Sequence, residues 1–222
     1  MQSCLEDALK TLLQERISVV GAGRTDAGVH ARELFAHVDL DDQVDQNLKF
    51  RLNKLLPKEI AVNSILAVTD DAHARFDATG RRYSYHITTQ KDPFLKKRSY
   101  YFSKTLDIEL MNQAATDMLD HDDFKCFSKS RTDVKTYLCD IQEAYWEQNG
   151  SDLVFFIQAN RFLRNMVRAI VGTLIEVGLK KISIDDFKSI LLSRDRSKAG
   201  YSVPAHGLYL EKVYYPKHIF AV

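Results

Sequence analysis

The sequence predicts an α+β fold made of two ferredoxin-like or RRM-like halves with mainly antiparallel sheets. Segments with the 3.6-residue period of helices are interspersed with segments that alternate polar and apolar residues, and some of the latter follow each other across short turns. The chain has 222 residues, of which 45% are hydrophobic, which is enough to bury a core. We expect an N-terminal half over residues 1–70 and a C-terminal half over residues 71–222.

The N-terminal half is expected to open with a helix almost at Met1, because Ser3 and Glu6 have the spacing of a capping box and an apolar stripe follows. Residues 17–20, Ile-Ser-Val-Val, are mostly β-branched and apolar, and residues 34–40 alternate at a period of two, so both are predicted strands. The rest of this half is predicted as a helix over residues 48–56, ended by Pro57, and a strand over residues 60–68.

The C-terminal half begins with a predicted strand over residues 81–87 and a helix from Asp107, and Phe124 and Phe127 after that helix are assigned to the core. An Asn-Gly pair at residues 149–150 favours a hairpin. The other predicted elements are hairpin strands over residues 137–147 and 153–159, a helix capped by Asn160, a helix capped by Ser183 with Asp186 at its third position, and a closing strand that contains Leu210.

A glycine-rich loop over residues 20–30, Val-Gly-Ala-Gly-Arg-Thr-Asp-Ala-Gly-Val-His, joins two of the predicted strands. Its glycines let the backbone approach another chain or a ligand, and Arg24 and Asp26 place opposite charges two positions apart. A dinucleotide-binding turn or a P-loop is disfavoured, because no helix follows and no Lys-Ser or Lys-Thr ends the loop. Two interpretations remain from the residues alone: a turn with a surface ion pair, or a loop that presents Asp26 as a nucleophile.

Composition and charge narrow the class of protein. The formal net charge is +1, so any contact with nucleic acid must come from local basic clusters. No apolar run approaches the roughly 18 residues of a membrane span, and no signal peptide is recognisable, which favours a cytoplasmic protein with no membrane partner. Cys4, Cys126 and Cys139 are odd in number and scattered, so we expect reduced thiols and no metal site.

Three further groups of residues have both a structural and a functional interpretation. Tyr83 shares a strand face with a second tyrosine, so core packing is the commoner expectation for it. Arg161, Arg164 and Arg168 fall on one side of a predicted helix, where they form either a solvated face or a surface for phosphate or carboxylate groups. The basic run over residues 96–98, followed by three aromatic residues, is either an RNA contact or a solvated loop.

Four separated motifs, in the same order along nearly the whole chain, resemble those of the TruA family of tRNA pseudouridine synthases. Residues 23–30 match the active-site motif Gly-Arg-Thr-Asp-Ala-Gly-Val-His at eight consecutive positions of that family. Residues 73–85 contain its His-x-Arg-Phe-x-Ala and Arg-x-Tyr-x-Tyr elements. Residues 162–172 match its Phe-Leu-x-x-Met-Val-Arg-x-Ile-Val-Gly motif, and residues 199–210 resemble its closing segment.

The resemblance implies roles for individual residues. It implies that Asp26 is the catalytic nucleophile or base and that Arg168 pairs with it. It further implies that Tyr83 stacks on the target base and that Leu210 lines the uracil pocket. Since the target nucleotide must leave its stack to reach Asp26, basic residues have to hold the RNA backbone. The candidates for that contact are Arg24, Arg161 and Arg164.

The implied activity is the isomerisation of uridine to pseudouridine at positions 38 to 40 of the tRNA anticodon arm. This reaction breaks the N1–C1′ bond and joins C5 to C1′ without a redox change, so no cofactor is expected. The resemblance also implies a homodimer that binds tRNA, and two halves joined around a central cleft. The alternative is an RNA-binding protein without catalysis or an impaired, truncated synthase, because family members typically open with a strand and a Tyr-Asp-Gly loop ahead of the first helix.

Overall fold

The computed structural model describes residues 1–40, 44–129 and 134–220. Across these ranges it is an α+β structure with five α-helices and mainly antiparallel strand pairs, as the sequence predicts. Contacts group the chain into two compact units, each made of separate segments. The division into halves at residue 70 stays a prediction. The smaller unit comprises residues 1–24, 34–78 and 215–220, and the larger one comprises residues 25–33 and 79–214.

The smaller unit contains two packed helices and one short strand pair. Helix α1 (Gln2–Leu13) packs on helix α2, whose bounds are Leu48–Leu55 and which ends just before Pro57, as predicted. Strands β1 (Val20–Gly21) and β3 (Ala36–His37) pair antiparallel and are shorter than the alternation predicts. The buried apolar residues of this unit include Ala8, Leu9, Ile17, Val19, Leu48, Leu52 and Leu56.

The predicted capping box at the start of α1 is wrong. Met1 is the N-cap, and no side chain caps the helix. Glu6 instead accepts hydrogen bonds from the Gln2 side chain at 2.9 Å and from the backbone N–H of Val19 at 3.1 Å. These bonds hold the pKa of the Glu6 carboxyl below its usual value. A tertiary contact has therefore taken the carboxylate that the local pattern assigned to Ser3.

The predicted strand over residues 60–68 is also wrong. Among the described residues this segment has one isolated bridge, between Val68 and Phe220. The Asn53 side chain donates to the carbonyl of Val62 at 2.9 Å and accepts from its N–H at 2.7 Å. A side chain thus satisfies the backbone groups that a neighbouring strand would otherwise pair.

The larger unit is built on a six-stranded sheet in the order β2-β8-β4-β7-β6, with β5 beside β4. The pairs among β4, β6, β7 and β8 are antiparallel, whereas β2 on β8 and β5 on β4 are parallel. The bounds of the strands are β2 His30–Ala31, β4 Gly80–Thr88, β5 Tyr100–Tyr101, β6 Ile141–Asn149, β7 Asp152–Ala159 and β8 Leu208–Tyr214.

Three helices cover the apolar side of this sheet and enclose the main core: α3 (Ile108–Thr116), α4 (Met166–Gly178) and α5 (Ile184–Ser193). Phe124 and Phe127 are fully buried, as predicted. The predicted hairpin forms at residues 149–152, although its first strand begins at Ile141 rather than 137. None of the helices in the described part of the chain is long and apolar enough to cross a membrane.

The helix predicted to follow an Asn160 cap begins five residues later than predicted. Its N-cap is Asn165, which has a φ of 68°, and residues 160–165 are not helical. The Asn160 side chain accepts a hydrogen bond from the backbone N–H of Asp140 at 2.9 Å, so its amide oxygen ties two loops together and caps no helix. The shared helical face predicted for the three arginines is therefore wrong, because only Arg168 lies on α4.

Candidate active site

Asp26 lies in a tight turn that leads directly onto the sheet. Its carbonyl accepts a hydrogen bond from the N–H of Val29 at 3.1 Å. Gly28 has a φ of 86°, a left-handed conformation that favours glycine. Strand β2 follows at once and pairs with Tyr209 and Leu210 of β8. The position of Asp26 is thus fixed by a short turn whose far end is part of the sheet.

Arg168 holds the Asp26 carboxylate from the first turn of α4. Its Nη1 donates to Asp26 Oδ2 at 2.8 Å, and its Nε donates to the carbonyl of Val203 at 2.7 Å. The two side chains are 20% and 27% exposed, so the ion pair is partly shielded from water. Because the guanidinium is planar and held at two points, one edge of it is directed at the carboxylate.

The other predicted arginines differ in their distance from Asp26. Arg164 Nε lies 3.9 Å from Asp26 Oδ1, although the Arg164 side chain is 61% exposed. Arg161 makes no ion pair with Asp26; its positive charge acts on the thiol of Cys139. Arg24 is exposed and belongs to the smaller unit. The larger unit therefore brings one tightly bound and one loosely bound arginine to the carboxylate.

Tyr83 and Leu210 are register partners on β4 and β8. The register shifts between Arg82 and Tyr83, and such a bulge re-aims the side chain that follows it. The Tyr83 ring packs edge to face on Phe162, with 5.1 Å between ring centroids. Leu210 is only 3% exposed. These three side chains give the site an aromatic and apolar side.

The hydroxyl of Tyr83 is neutral at physiological pH. Burial raises its pKa to about 12; the positive charge of Arg81 opposes this rise, and the negative charge of Asp26 adds to it. Strand β2, which follows the Asp26 turn, pairs with Leu210, and Leu210 is the register partner of Tyr83. Asp26, Arg168, Tyr83 and Leu210 thus come together in the larger unit from a loop, a helix and two strands.

A pocket of about 460 Å³ opens beside the ion pair and includes residues that the sequence analysis missed. Arg196 donates from Nη2 to Ser202 Oγ at 3.1 Å, and Asn165 donates from Nδ2 to the same oxygen at 2.6 Å. Three of the charged lining side chains are cationic and one is anionic, so the lining suits an anionic ligand. The lining residues are Asp26, Lys129, Asn165, Arg168, Arg196 and Ser202.

The backbone that presents Val203 to Arg168 is pinned against α4. We call residues 199–203 the clamp segment. Its Gly200 N–H donates to Thr173 Oγ1 at 2.9 Å, and the Val203 N–H donates to the carbonyl of Arg168 at 3.2 Å. The guanidinium of Arg196 donates to the carbonyls of residues 199 and 200 at 3.2 and 3.0 Å. The clamp segment therefore fixes the second anchor of Arg168.

Known proteins similar to this chain agree on one family. A protein-family model described as "tRNA pseudouridine synthase" matches residues 114–216, which include α4 and β8. The "tRNA pseudouridine synthase A" of Parabacteroides distasonis is 51% identical over 224 aligned positions, covering 100% of this chain and 89% of that protein. The proteins of the same name from Porphyromonas gingivalis and Bacillus subtilis are 52% and 40% identical, covering 99% and 97% of this chain and 89% of each relative.

Proposed function

Because the chain belongs to the tRNA pseudouridine synthase family, we propose that it converts uridine to pseudouridine at positions 38 to 40 of the tRNA anticodon arm, with Asp26 as the catalytic residue. As a family member it is an isomerase that forms pseudouridine in tRNA. The observation that carries the choice of Asp26 is its 2.8 Å contact with Arg168 in a partly buried position.

The ion pair supports this role because a carboxylate must be ionised to act as a nucleophile or a base. A uracil base that enters the site displaces water. Loss of water favours the protonated, uncharged form of a carboxyl group unless a cation is close. Arg168 supplies that cation, and the carbonyl of Val203 keeps it from turning away. In this proposal the ion pair with Arg168 offsets the loss of water around the Asp26 carboxylate when RNA covers the site.

The reaction rearranges one nucleotide and needs no external group. Asp26 adds to the base, adds to the sugar, or removes a ribose proton, and each route starts from the same carboxylate. The N1–C1′ bond breaks, the base turns, C5 bonds to C1′, the hydrogen of C5 leaves as a proton, and N1 takes up a proton, so the product is an isomer of uridine. In this proposal Tyr83 supports the base and its neutral hydroxyl handles a proton late in the reaction, while Leu210 forms the apolar wall of the uracil pocket.

Binding of the tRNA is assigned to cations around the site. We propose that Arg24, Arg161 and Arg164 hold the phosphate backbone while the target uridine leaves its stack. The net positive lining of the pocket beside Asp26 supports the same contact. A homodimer and a cytoplasmic location complete the proposal on the family resemblance, and sedimentation analysis of the purified protein tests the dimer.

The test is the release of tritium from C5 of labelled uridine in unmodified tRNA, because C5 loses its hydrogen only when the new bond forms. We expect the wild type to release tritium and Asp26→Asn to lower the rate by about 10²- to 10⁴-fold or more, the range for loss of a catalytic base. The matched control is Asp120→Asn, an exposed carboxylate in the turn after α3, which should behave as wild type.

Four results would contradict parts of the proposal. Turnover by Asp26→Asn at the wild-type rate would show that Asp26 takes no part in the chemistry. A fall in the melting temperature of Asp26→Asn as large as its loss of turnover would show that the role of Asp26 is structural. Binding of tRNA by the wild type without any release would leave an RNA-binding protein without catalysis. Mapping of pseudouridine to positions other than 38 to 40 would overturn the assignment to the anticodon arm.

A further inference from the structure

The connection between β4 and β5 contains a basic loop, defined here as residues 91–98 with the sequence Lys-Asp-Pro-Phe-Leu-Lys-Lys-Arg. It carries four cations and one carboxylate, and all four cationic residues are exposed. None of the four cationic side chains pairs with a carboxylate among the described residues. The single carboxylate, Asp92, accepts a hydrogen bond from the N–H of Phe94 at 2.8 Å. The loop therefore presents uncompensated positive charge.

Phe94 stands at the tip of this loop and is 86% exposed. Its backbone is held in a single 3-10 turn, Pro93–Leu95, in which proline fixes its own φ and the Asp92 side chain accepts from the N–H of Phe94. The N–H of Arg98 donates to the carbonyl of Leu95 at 2.8 Å. Lys97 has a φ of 63°, a left-handed conformation that is uncommon outside turns. An apolar ring of this size, exposed on a short and internally bonded loop, is available to stack on a flat partner.

The base of the loop is bonded to the strands that carry the active-site residues. His30 Nε2 contacts the Lys97 carbonyl at 2.8 Å, and the Tyr209 hydroxyl donates to the Arg98 carbonyl at 2.8 Å. The rings of His30 and Tyr209 are stacked, with centroids 4.6 Å apart. His30 follows Asp26 by four residues, which span at most about 14 Å, and Tyr209 precedes Leu210. The loop is thus tied to both sides of the site.

We infer that the basic loop is a contact surface for the RNA next to the target uridine, in which Phe94 stacks on a base and the flanking cations bind phosphates. Alternation of an exposed aromatic ring with cations is the chemistry that binds unpaired nucleotides, whereas an acidic peptide alone would leave Phe94 unused. The inference that this RNA is the tRNA substrate rests on the proposed function. A role of the basic loop in binding RNA gives a reason for His30 at the end of the glycine-rich motif, because its ring nitrogen contacts the Lys97 carbonyl of the loop.

The experiment compares the dissociation constant of unmodified tRNA for the wild type, Phe94→Ala and the double variant Lys96→Ser, Lys97→Asn at several salt concentrations. Asparagine is chosen because it tolerates the left-handed conformation of Lys97. Phe94→Ala should raise the Kd by about fivefold or more, as expected for loss of one stacked base. The double variant should reduce the slope of log Kd against log salt by about 0.7 to 0.9 for each lost phosphate contact.

Matched controls are Leu192→Ala, another exposed apolar residue at 72% exposure, and the double variant Lys181→Ser, Lys198→Ser on exposed lysines elsewhere. Both control variants should bind tRNA as wild type and should release tritium at saturating tRNA at a rate near that of the wild type. If Phe94→Ala and the loop lysine variant match their controls in Kd and salt slope, the inference is overturned. If the loop variants weaken binding while even the wild type releases no tritium, the RNA surface stands and the proposed isomerase activity fails.

Discussion

Arg168 makes two hydrogen bonds that a lysine could not make together. Its Nη1 reaches Asp26 and its Nε reaches the carbonyl of Val203. Lysine keeps the charge but has a single nitrogen on a flexible stem. We expect Arg168→Lys to fold and to bind tRNA, and to lower kcat by about 10²-fold, the cost of misplacing a group by about 1 Å.

Single-turnover tritium release measures this effect of Arg168→Lys. Arg161→Lys is the matched control, since Arg161 forms no ion pair with Asp26 and a lysine preserves its charge. A kcat for Arg168→Lys equal to that of the control would mean that a positive charge near Asp26 is sufficient and that the fixed orientation is not needed.

At the scale of single residues, the sequence motifs predicted four residues that the structure places together: Asp26, Arg168, Tyr83 and Leu210. They were predictable because each lies inside a contiguous stretch of matching sequence. Arg196 could not be found in the same way. Its guanidinium bonds to main-chain carbonyls and to one hydroxyl, and such contacts leave no periodic or spaced pattern in a sequence.

At the scale of the elements, helix α4 packs against the clamp segment. A Cβ at Gly172 would lie 1.8 Å from the carbonyl oxygen of Tyr201, which is backbone and cannot rotate aside. Gly172→Ala should destabilise the protein by about 1–3 kcal/mol or more, the usual cost of overpacking. It should also lower turnover, because the displaced clamp segment moves the Val203 carbonyl away from Arg168.

Thermal unfolding together with tritium release tests the effect of Gly172→Ala. Gly23→Ala is the control, since a Cβ at Gly23 would meet no heavy atom within 4 Å and its backbone φ is not positive. Equal melting temperatures for the two variants would show that the clamp segment yields to a methyl group without cost.

The helix caps show why elements are only partly predictable. Ser183 and Asp186 form the predicted capping box, with bonds in both directions. Ser3 and Glu6 have the same spacing, yet Glu6 is bonded to Gln2 and Val19. A local pattern states which groups can pair, but a competing donor from a distant segment decides which of them do. The predicted start of α4 is wrong for the same reason, because the side chain of Asn160 accepts a hydrogen bond from Asp140 and caps no helix.

Across the whole molecule, several buried groups must stay neutral for the fold to be stable. Burial raises the pKa of Cys139 to about 11 and those of Cys126 and Tyr83 to about 12, and it raises that of Tyr85 further. In the unfolded chain these groups ionise at their ordinary values, 9.0 for cysteine and 10.0 for tyrosine. Their contribution to stability is therefore complete below about pH 9 and is lost as the pH rises towards 12.

We accordingly expect the melting temperature to fall steadily from pH 9 to pH 11 in the presence of a reductant. Cys139→Ala should lessen that fall, because the variant has one group fewer to ionise on unfolding. Cys4→Ala, at a half-buried position, is the control and should keep the wild-type slope. A melting temperature that stays constant over this range would contradict the expectation.

The α+β class was predictable from the whole sequence, because it depends on periodicity within each segment. The inclusion of residues 25–33 in the larger unit was not predictable, because it depends on contacts with residues that are remote in the chain. Arg32, for example, donates to Glu211, which lies 179 residues away. No local pattern encodes a contact over that distance.

The pairing of β2 with β8 also sets the order in which the protein becomes competent. A ribosome makes the chain from its N-terminus, so the turn with Asp26 emerges before Arg168, 142 residues later, and before β8, the strand with which β2 pairs. The carboxylate lacks its ion-pair partner until Arg168 emerges, and the turn lacks its partner strand in the sheet until β8 emerges. Under the proposed function, chemistry on tRNA therefore waits until β8 has been synthesised.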